Sequence, residues 1–293
     1  NQGEQVAVLW SWLLQRIHIN FAHRTFKWKN EGKGVAAVHC VIIGFSTVNN
    51  SKKTLFNYVN GIDGDPVVES VKQINPYLVD ASSILLESRR EPVCKVAPVV
   101  FGSMANDKGH LFLNDVEREE LLQEFPSAQQ YIKKFLGADE FLYNTSRWCL
   151  WLADIDLSEI KKIPPIYERI EKVKAVRLAS KREATRKLAS TPYLFGEIRQ
   201  PSSSYVLIPR HSSESRDYIP IGFMDADVIC GDANCMIPNA SLMEFGVLTS
   251  KMHMAWVRTV CGRLESRYRY SNTIVYNNYI WPMSLTKEQA HTI

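Results

Sequence analysis

The sequence predicts an α/β protein in two parts: a sheet-and-helix segment up to a boundary near 98–104, then a segment of mixed helices and short strands. Three observations predict this. VAAVHCVIIGF (35–45) is the longest β-branched apolar run in the chain, and such a run suits a strand buried on both faces, in the middle of an α/β sheet. Ahead of it, Val6, Leu9, Trp10, Leu13 and Leu14 recur at helical spacing within residues 3–16. From about residue 100, past Pro98 and Gly102, helical patterns and short strands alternate, and 293 residues exceed the usual single-core size.

Taken in order, IHINFA (17–22) alternates as a strand and residues 27–34, rich in Lys, Asn and Gly, read as a turn. Residues 46–66 are dense in Asn, Ser, Gly and Asp and predict an exposed excursion. LNDVEREELLQEF (113–125) is a helix with Asn114 or Asp115 as N-cap. SAQQYIKKFLG (127–137) predicts a second helix stopped by Gly137. RWCLWL (147–152) is a strand, and a long helix is expected from Pro165 to Ala189 behind Pro164. YVLIP (205–209), YIPIGFM (218–224) and DVIC (227–230) are short strands. A helix from Ala240 breaks near Thr249-Ser250 and ends near Gly262.

Composition narrows the class. Hydrophobic residues make up 45% and charged residues 23%, with a formal net charge of +4, so a local basic patch is permitted but not demanded. No apolar run reaches the ~18–20 residues of a membrane span, and no secretory signal is present. The six cysteines are scattered without a CxxC or Cys/His ligand set, which fits reduced thiols of a cytosolic protein and no metal. The chain opens on NQGEQVAVLW without an initiator methionine, the expectation for a piece of a longer protein.

Several stretches carry candidate chemistry. The 165–189 helix holds Arg169, Lys172, Lys174, Arg177, Lys181, Arg182, Arg186 and Lys187 against three glutamates. It is either a solvated face or a surface for phosphates. PRHSSESRDYIP (209–220) offers Ser212, Ser213 and Arg216, groups that grip phosphate oxygens, or it is a polar turn. A Ser-His-Asp set from Ser212 or Ser213, His253 and Asp217 lacks a nucleophile elbow. Asp156 with EIK (159–161) is a weak metal-nuclease signal, and no phosphate-binding glycine loop is present. The stretch GRLESRYRYSNTIVYNNYIWP (262–282) interleaves Arg263, Arg267 and Arg269 with tyrosines. Arginine pairs bidentately with guanine, and Asn272, Asn277 or Asn278 could pair with adenine. Simple alternation would instead bury Tyr268 and Tyr270 and expose Arg267 and Arg269.

Read together, QGEQVAVLW (2–10), INFAHRTFKW (19–28), GVAAVHCVIIGFS (34–46), INPYL (74–78), the stretch 137–152, IPRHSSESRDYIPIGF (208–223), FGVLTSKMHMAWVRTVCGRLESRYRYS (245–271) and IVYNNYIWP (274–282) follow one order. In that order they resemble the MmeI-like DNA methyltransferases, type IIL restriction–modification enzymes that fuse an endonuclease to an adenine-N6 methyltransferase. The resemblance covers nearly the whole chain.

The resemblance implies that residues 1–100 are the C-terminal half of a Rossmann-like methyltransferase domain. Residues 101–285 would then be a mixed α+β DNA target-recognition domain and 286–293 the start of a helical region. In that family the S-adenosylmethionine-binding glycine motif and the Asn-Pro-Pro-Tyr motif lie upstream. INPYL lacks the second proline and comes too late in the order, so no catalytic or cofactor-binding residue is expected here and this stretch alone would be inactive. Phe45 matches the family position where an aromatic stacks on a flipped adenine. Double-stranded DNA and the upstream half of the same domain are the implied partners. Arg263, Arg267, Arg269 and Asn272 are candidates near the groove; Ser212, Ser213, Arg216, Lys181, Arg182 and Lys251 are candidates for the DNA backbone. The other reading is a non-catalytic DNA-specificity subunit serving a separate methyltransferase.

Overall fold

Helix α1 (Gln5–Leu13) buries Val6 and Trp10, one turn apart, and leaves Val8, Leu9 and Trp12 exposed. The computed structural model describes residues 1–28, 38–59, 61–153, 155, 157–282, 286, 288 and 289. Packing groups these residues into two units. One joins Asn1–Val96 to Ser212–Tyr218 and Ser250–Gln289, and the other joins Ala97–His211 to Ile219–Thr249.

In the first unit, β1 (His18–Trp28), β2 (Val38–Ser46), β3 (Lys53–Asn57) and β4 (Val67–Val71) form a mixed sheet in the order β2-β1-β3-β4. β1 runs antiparallel to β2 and parallel to β3, and β3 is antiparallel to β4. Among the described residues, 38–45 of the 35–45 run lie in β2, the end strand of this sheet, with Val38, Ile42 and Phe45 exposed. Apolar content marked the run as a strand but could not say how many neighbours cover it. The expected turn at 27–34 lies outside the described residues, apart from Lys27 and Trp28, which finish β1.

The excursion expected over 46–66 contains β3, which is inside the sheet. Its inward positions are Lys53, Leu55 and Asn57, so polarity disguised it. The Lys53 ammonium is buried and donates to the Ile19 carbonyl at 3.0 Å. INPYL is a structural turn. The Asn75 carboxamide oxygen accepts from the Tyr77 and Val79 N–H groups at 2.9 and 3.3 Å, and Leu78 sits at φ +58.

The second unit contains β5 (Val100–Phe101), β6 (Phe112–Leu113), α2 (Asp115–Glu124), β7 (Ile132–Leu136), α3 (Ala138–Tyr143), β8 (Trp148–Leu150), α4 (Leu157–Ile160), α5 (Pro164–Leu178) and α6 (Glu183–Lys187). It continues with β9 (Tyr205–Pro209), β10 (His211–Ser212, where the chain leaves this unit), β11 (Gly222–Met224), β12 (Ile229–Cys230), β13 (Asn234–Pro238) and α7 (Leu242–Leu248). Two four-stranded sheets result, β11-β9-β13-β5 and β12-β7-β8-β6. The main core gathers Leu111, Leu113, Ile132, Leu150, Ile166 and Val173 under α5.

Asn114 caps α2 as expected, with a reciprocal capping box. Its side chain accepts from the Glu117 N–H at 2.9 Å, and Glu117 accepts from the Asn114 N–H at 3.0 Å. Asn114→Ala is expected to lower stability by about 1 kcal/mol in chemical unfolding.

The helix expected over 127–137 is corrected. Pro126–Tyr131 is a 3-10 turn, Ile132–Leu136 is β7, and Gly137 begins α3 instead of ending a helix. Ile132, Phe135 and Leu136 are all buried, a spacing that also fits a helix, and pairing with β8 and β12 decides between them. The long helix to Ala189 ends at Leu178. The chain then folds back through α6 and a short 3-10 turn, bringing the 188–194 carbonyls onto Arg177.

The chain re-enters the first unit at α8 (Lys251–Val260), whose N-cap Ser250 accepts from the His253 N–H at 3.1 Å. There follow β14 (Arg263–Leu264), β15 (Arg267–Arg269) and a π-helical turn, Asn272–Tyr276. The residues 286–293, expected to start a helical region, lie outside the described residues except 286, 288 and 289.

Candidate nucleic-acid interface

Gly262 follows the end of α8, and the chain turns back on itself over Glu265-Ser266, pairing Arg263 with Tyr268 and Leu264 with Arg267. Glu265 sits at φ +58, in the left-handed region that costs a non-glycine residue roughly 1–2 kcal/mol. Alternation then sorts the side chains. Tyr268 and Tyr270 are buried, and Arg267 and Arg269 project into solvent. Tyr270 is anchored by its hydroxyl, 3.1 Å from His253 Nε2, and Tyr279 meets the His253 ring edge-on at 4.7 Å. The Arg267 guanidinium pairs with Glu265 at 2.9 Å, and both groups are exposed.

Arg263 is engaged differently. Its Nε donates to Gln2 Oε1 at 3.0 Å, its Nη1 donates to the Ser266 carbonyl at 3.0 Å, and its guanidinium lies over the Tyr268 ring at 3.9 Å. Arg263 and Tyr268 line a cavity of 330 Å³ with Arg24, His39, Tyr58 and Glu214. Burial alone would raise the Glu214 carboxyl. The Ser266 hydroxyl, a backbone N–H and the nearby His39 and Arg263 outweigh it and hold Glu214 below its ordinary value. Burial lowers the Arg24 guanidinium, against the opposing pull of Glu69. The 212–218 loop is tied down by Arg258, which donates to the Asp217 carbonyl at 2.8 Å.

The remaining candidates distribute as follows. Ser212 is buried, and its hydroxyl has no hydrogen-bond partner among the described residues, so it is turned away from any surface contact. Ser213 is half-buried, its hydroxyl 2.7 Å from that of Ser215, and Arg216 is half-buried immediately before the Arg258-held Asp217 carbonyl. Lys251 is exposed in the first turn of α8, and Asn272 opens the π-helical turn. Phe45 is 56% exposed near the end of β2, opposite Ile19, and is not a core aromatic. Arg263, Arg267 and Arg269 share one hairpin and one unit with Asn272, Lys251, Ser213, Arg216 and Phe45. Lys181 and Arg182 are exposed and belong to the other unit.

Two readings fall away. Asn277 and Asn278, adenine-pairing candidates by type, are buried. Asn277 Nδ2 donates to the Arg89 carbonyl at 2.8 Å, and Asn278 accepts from Arg89 Nε and donates to the carbonyls of Glu87, Thr273 and Ile274. The basic helix is not a continuous phosphate-facing stripe. Arg177 is buried, and Arg169 is spent on the carbonyls of His110 and Phe112 and on Glu117.

Among the described residues the other candidate chemistries find no geometry. His253 is buried with its Nε2 engaged by the Tyr270 hydroxyl, and burial holds it neutral down to about 3. Burial likewise pushes the Cys235 and Cys261 thiols up to about 12, which makes them poor nucleophiles. Among the described residues no group of three or more His, Cys, Asp or Glu is placed to hold a metal, and no helix is long and apolar enough to cross a membrane. Asp156 lies outside the described residues.

Comparison with known proteins defines the class. Residues 80–283 match the family described as MmeI, target recognition domain, and residues 1–57 match MmeI, DNA-methyltransferase domain. A target-recognition segment is thus joined to part of a DNA-methyltransferase domain, and the chain belongs to the MmeI family. DNA methyltransferase A of Bacillus subtilis (strain 168) is 38% identical over 289 residues, 98% of this chain and 32% of that protein. The structure of the type IIL restriction–modification enzyme MmeI in complex with DNA superposes with a TM-score of 0.91 at 47% identity. It covers 99% of this chain and 39% of that one. The chain therefore spans about a third of the relatives it matches. The α/β make-up with several sheets agrees with the fold class expected from the sequence.

Proposed function

We propose that this chain is the DNA-reading part, with the second half of the catalytic domain, of an S-adenosylmethionine-dependent, site-specific adenine-N6 methyltransferase in a bacterial or archaeal cytoplasmic restriction–modification system. The observation that carries the reading is the hairpin. Arg267 and Arg269 stand outward on a strand whose Tyr268 and Tyr270 are locked inside, the presentation a base-reading arginine needs. The MmeI relative bound to DNA supports the same partner. Asn272 adjoins the hairpin as a further groove candidate, and Ser213, Arg216, Lys251, Lys181 and Arg182 are candidates for phosphate contact. Ser212 stays a candidate only if its loop rearranges. The exposed Phe45 is available to stack on an extruded adenine while its amine meets the methyl donor.

The cofactor-binding glycine motif and the Asn-Pro-Pro-Tyr motif are absent from residues 1–293, so this stretch supplies no catalytic step of its own. Its partner in catalysis is the upstream half of the same domain. The outward apolar side chains of α1 (Val8, Leu9 and Trp12) and of β2 (Val38 and Ile42) give that half a surface to cover.

The test uses the full-length protein and duplexes competing for binding. Arg267→Ala is expected to weaken cognate binding by about 1–3 kcal/mol and relax preference at one base pair. Unchanged affinity and preference would remove Arg267 as a reader. Labelled S-adenosylmethionine should place N6-methyladenine in the duplex with the full-length protein and not with residues 1–293 alone.

A further inference from the structure

The first residues of the chain are stitched to the root of the hairpin. Gln2 Nε2 donates to the carbonyls of Arg258 (2.6 Å) and Thr259 (3.1 Å), and Gln2 Oε1 accepts from Arg263 Nε. The Gly3 N–H donates to the Val260 carbonyl at 2.9 Å. Gly3 holds φ +74, and a Cβ there would come within 3.0 Å of the Gly262 Cα, so only glycine fits comfortably. On the far side, the Arg269 N–H closes the hairpin root by donating to the Gly262 carbonyl at 2.8 Å.

Arg263 sits at the centre of these contacts. A bidentate base contact needs a guanidinium edge free and aimed at the groove. In Arg263 the Nε edge is taken by Gln2, Nη1 by the Ser266 carbonyl inside the turn, and the flat face by Tyr268. These contacts fix the hairpin against α8 and the chain start, and they occupy Nε, Nη1 and one face of the guanidinium.

We infer that Arg263 and Gln2 are a positioning pair that sets the pose of the β14–β15 hairpin, so that Arg263 orients Arg267 and Arg269 instead of touching DNA itself. This rests on the proposed DNA-reading role of the hairpin. It also crosses the family's domain line: Gln2 lies in the methyltransferase-domain match and Arg263 in the target-recognition match. A recognition segment moved into another member would then keep its pose only where residue 2 can still bridge Arg263 to the end of α8.

The experiment compares Gln2→Ala, Arg263→Ala, Arg263→Lys and the Gln2→Ala/Arg263→Ala double variant of the full-length protein, with thermal unfolding as a check on folding. Two quantities are read: hydrogen exchange at the Arg269 amide, and affinity for cognate and singly substituted duplexes across a salt series. Gln2→Ala is expected to speed exchange about threefold to tenfold, the value of one hydrogen bond. It should reduce discrimination by a similar factor and leave the salt slope unchanged, because it removes no charge. Arg263→Ala and Arg263→Lys should do the same, and the double variant should be no worse than the more damaging single.

A salt slope lowered by about one in Arg263→Ala and restored in Arg263→Lys, with Gln2→Ala silent, would make Arg263 a phosphate contact and overturn the inference. Unchanged exchange in Gln2→Ala would overturn it too. Faster exchange in a protein that binds no duplex at all would support the pair while defeating the DNA-reading role of the hairpin.

Discussion

Arg177→Met should destabilise the second unit by about 3–5 kcal/mol, the scale expected when the partner of buried polar groups is removed. Arg177 is 0% exposed, and its guanidinium donates to five backbone carbonyls: Asn106, Leu188, Thr191, Ala105 and Leu194, at 2.7–3.1 Å. No carboxylate lies in that set. Burial lowers the group from its usual value, opposed by Asp107. The charge is stabilised by the ring of carbonyl dipoles, and the ring holds the chain reversal after α5 in place. Arg177→Lys keeps the charge but offers three donors to five acceptors, so it should fall between wild type and Arg177→Met. Urea unfolding of the three proteins measures the order. Equal midpoints for wild type and Arg177→Met would show that the carbonyls are satisfied without the guanidinium.

The second large effect is acid sensitivity of the first unit. His253 is 1% exposed, and burial keeps it neutral down to about 3. The unfolded chain takes up that proton near pH 6.5. Between these values the unfolded state holds more protons, so the stability contribution is complete above pH 6.5 and is lost as the pH falls. The full difference is about 4–5 kcal/mol, of which about 2 kcal/mol should disappear between pH 6.5 and 5. His23 is also lowered by burial and adds to the slope, so the contribution of His253 is isolated by comparison with His253→Gln. Chemical unfolding of both at steps from pH 7 to 5 should show a steeper loss in the wild type. Parallel curves would mean that His253 is not the group responsible.

The hairpin shows how far alternation along a sequence can be read. In RYRY, period two placed Tyr268 and Tyr270 inside and Arg267 and Arg269 outside, because a strand offers no third choice. Local chemistry was similarly sufficient at Asn114, where the capping residue and Glu117 lie three positions apart, and at Thr249-Ser250, where α7 gives way to α8. It failed where a residue's surroundings decide its role. Arg177 and Arg169 looked like members of a basic surface, and only the returning 188–194 segment and the carbonyls of 110 and 112 show them facing inward. Asn277 and Asn278 had the right side chains for adenine, but residues 87–93 consume them.

By itself the sequence determined the α/β class, several of the helices and short strands, the inside and outside of the arginine–tyrosine stretch, and its resemblance to MmeI-like enzymes. These rest on periodicity, caps and order along the chain, which are local or collinear properties. Only the tertiary structure decided that residues 250–282 return to pack with residues 1–96, that β3 lies inside the sheet, and that Gln2 reaches Arg263 across 261 positions. Those outcomes come from contacts between segments far apart in the chain. There a single polar side chain is buried or exposed according to which distant carbonyl, ring or carboxamide meets it, and no local pattern encodes that meeting.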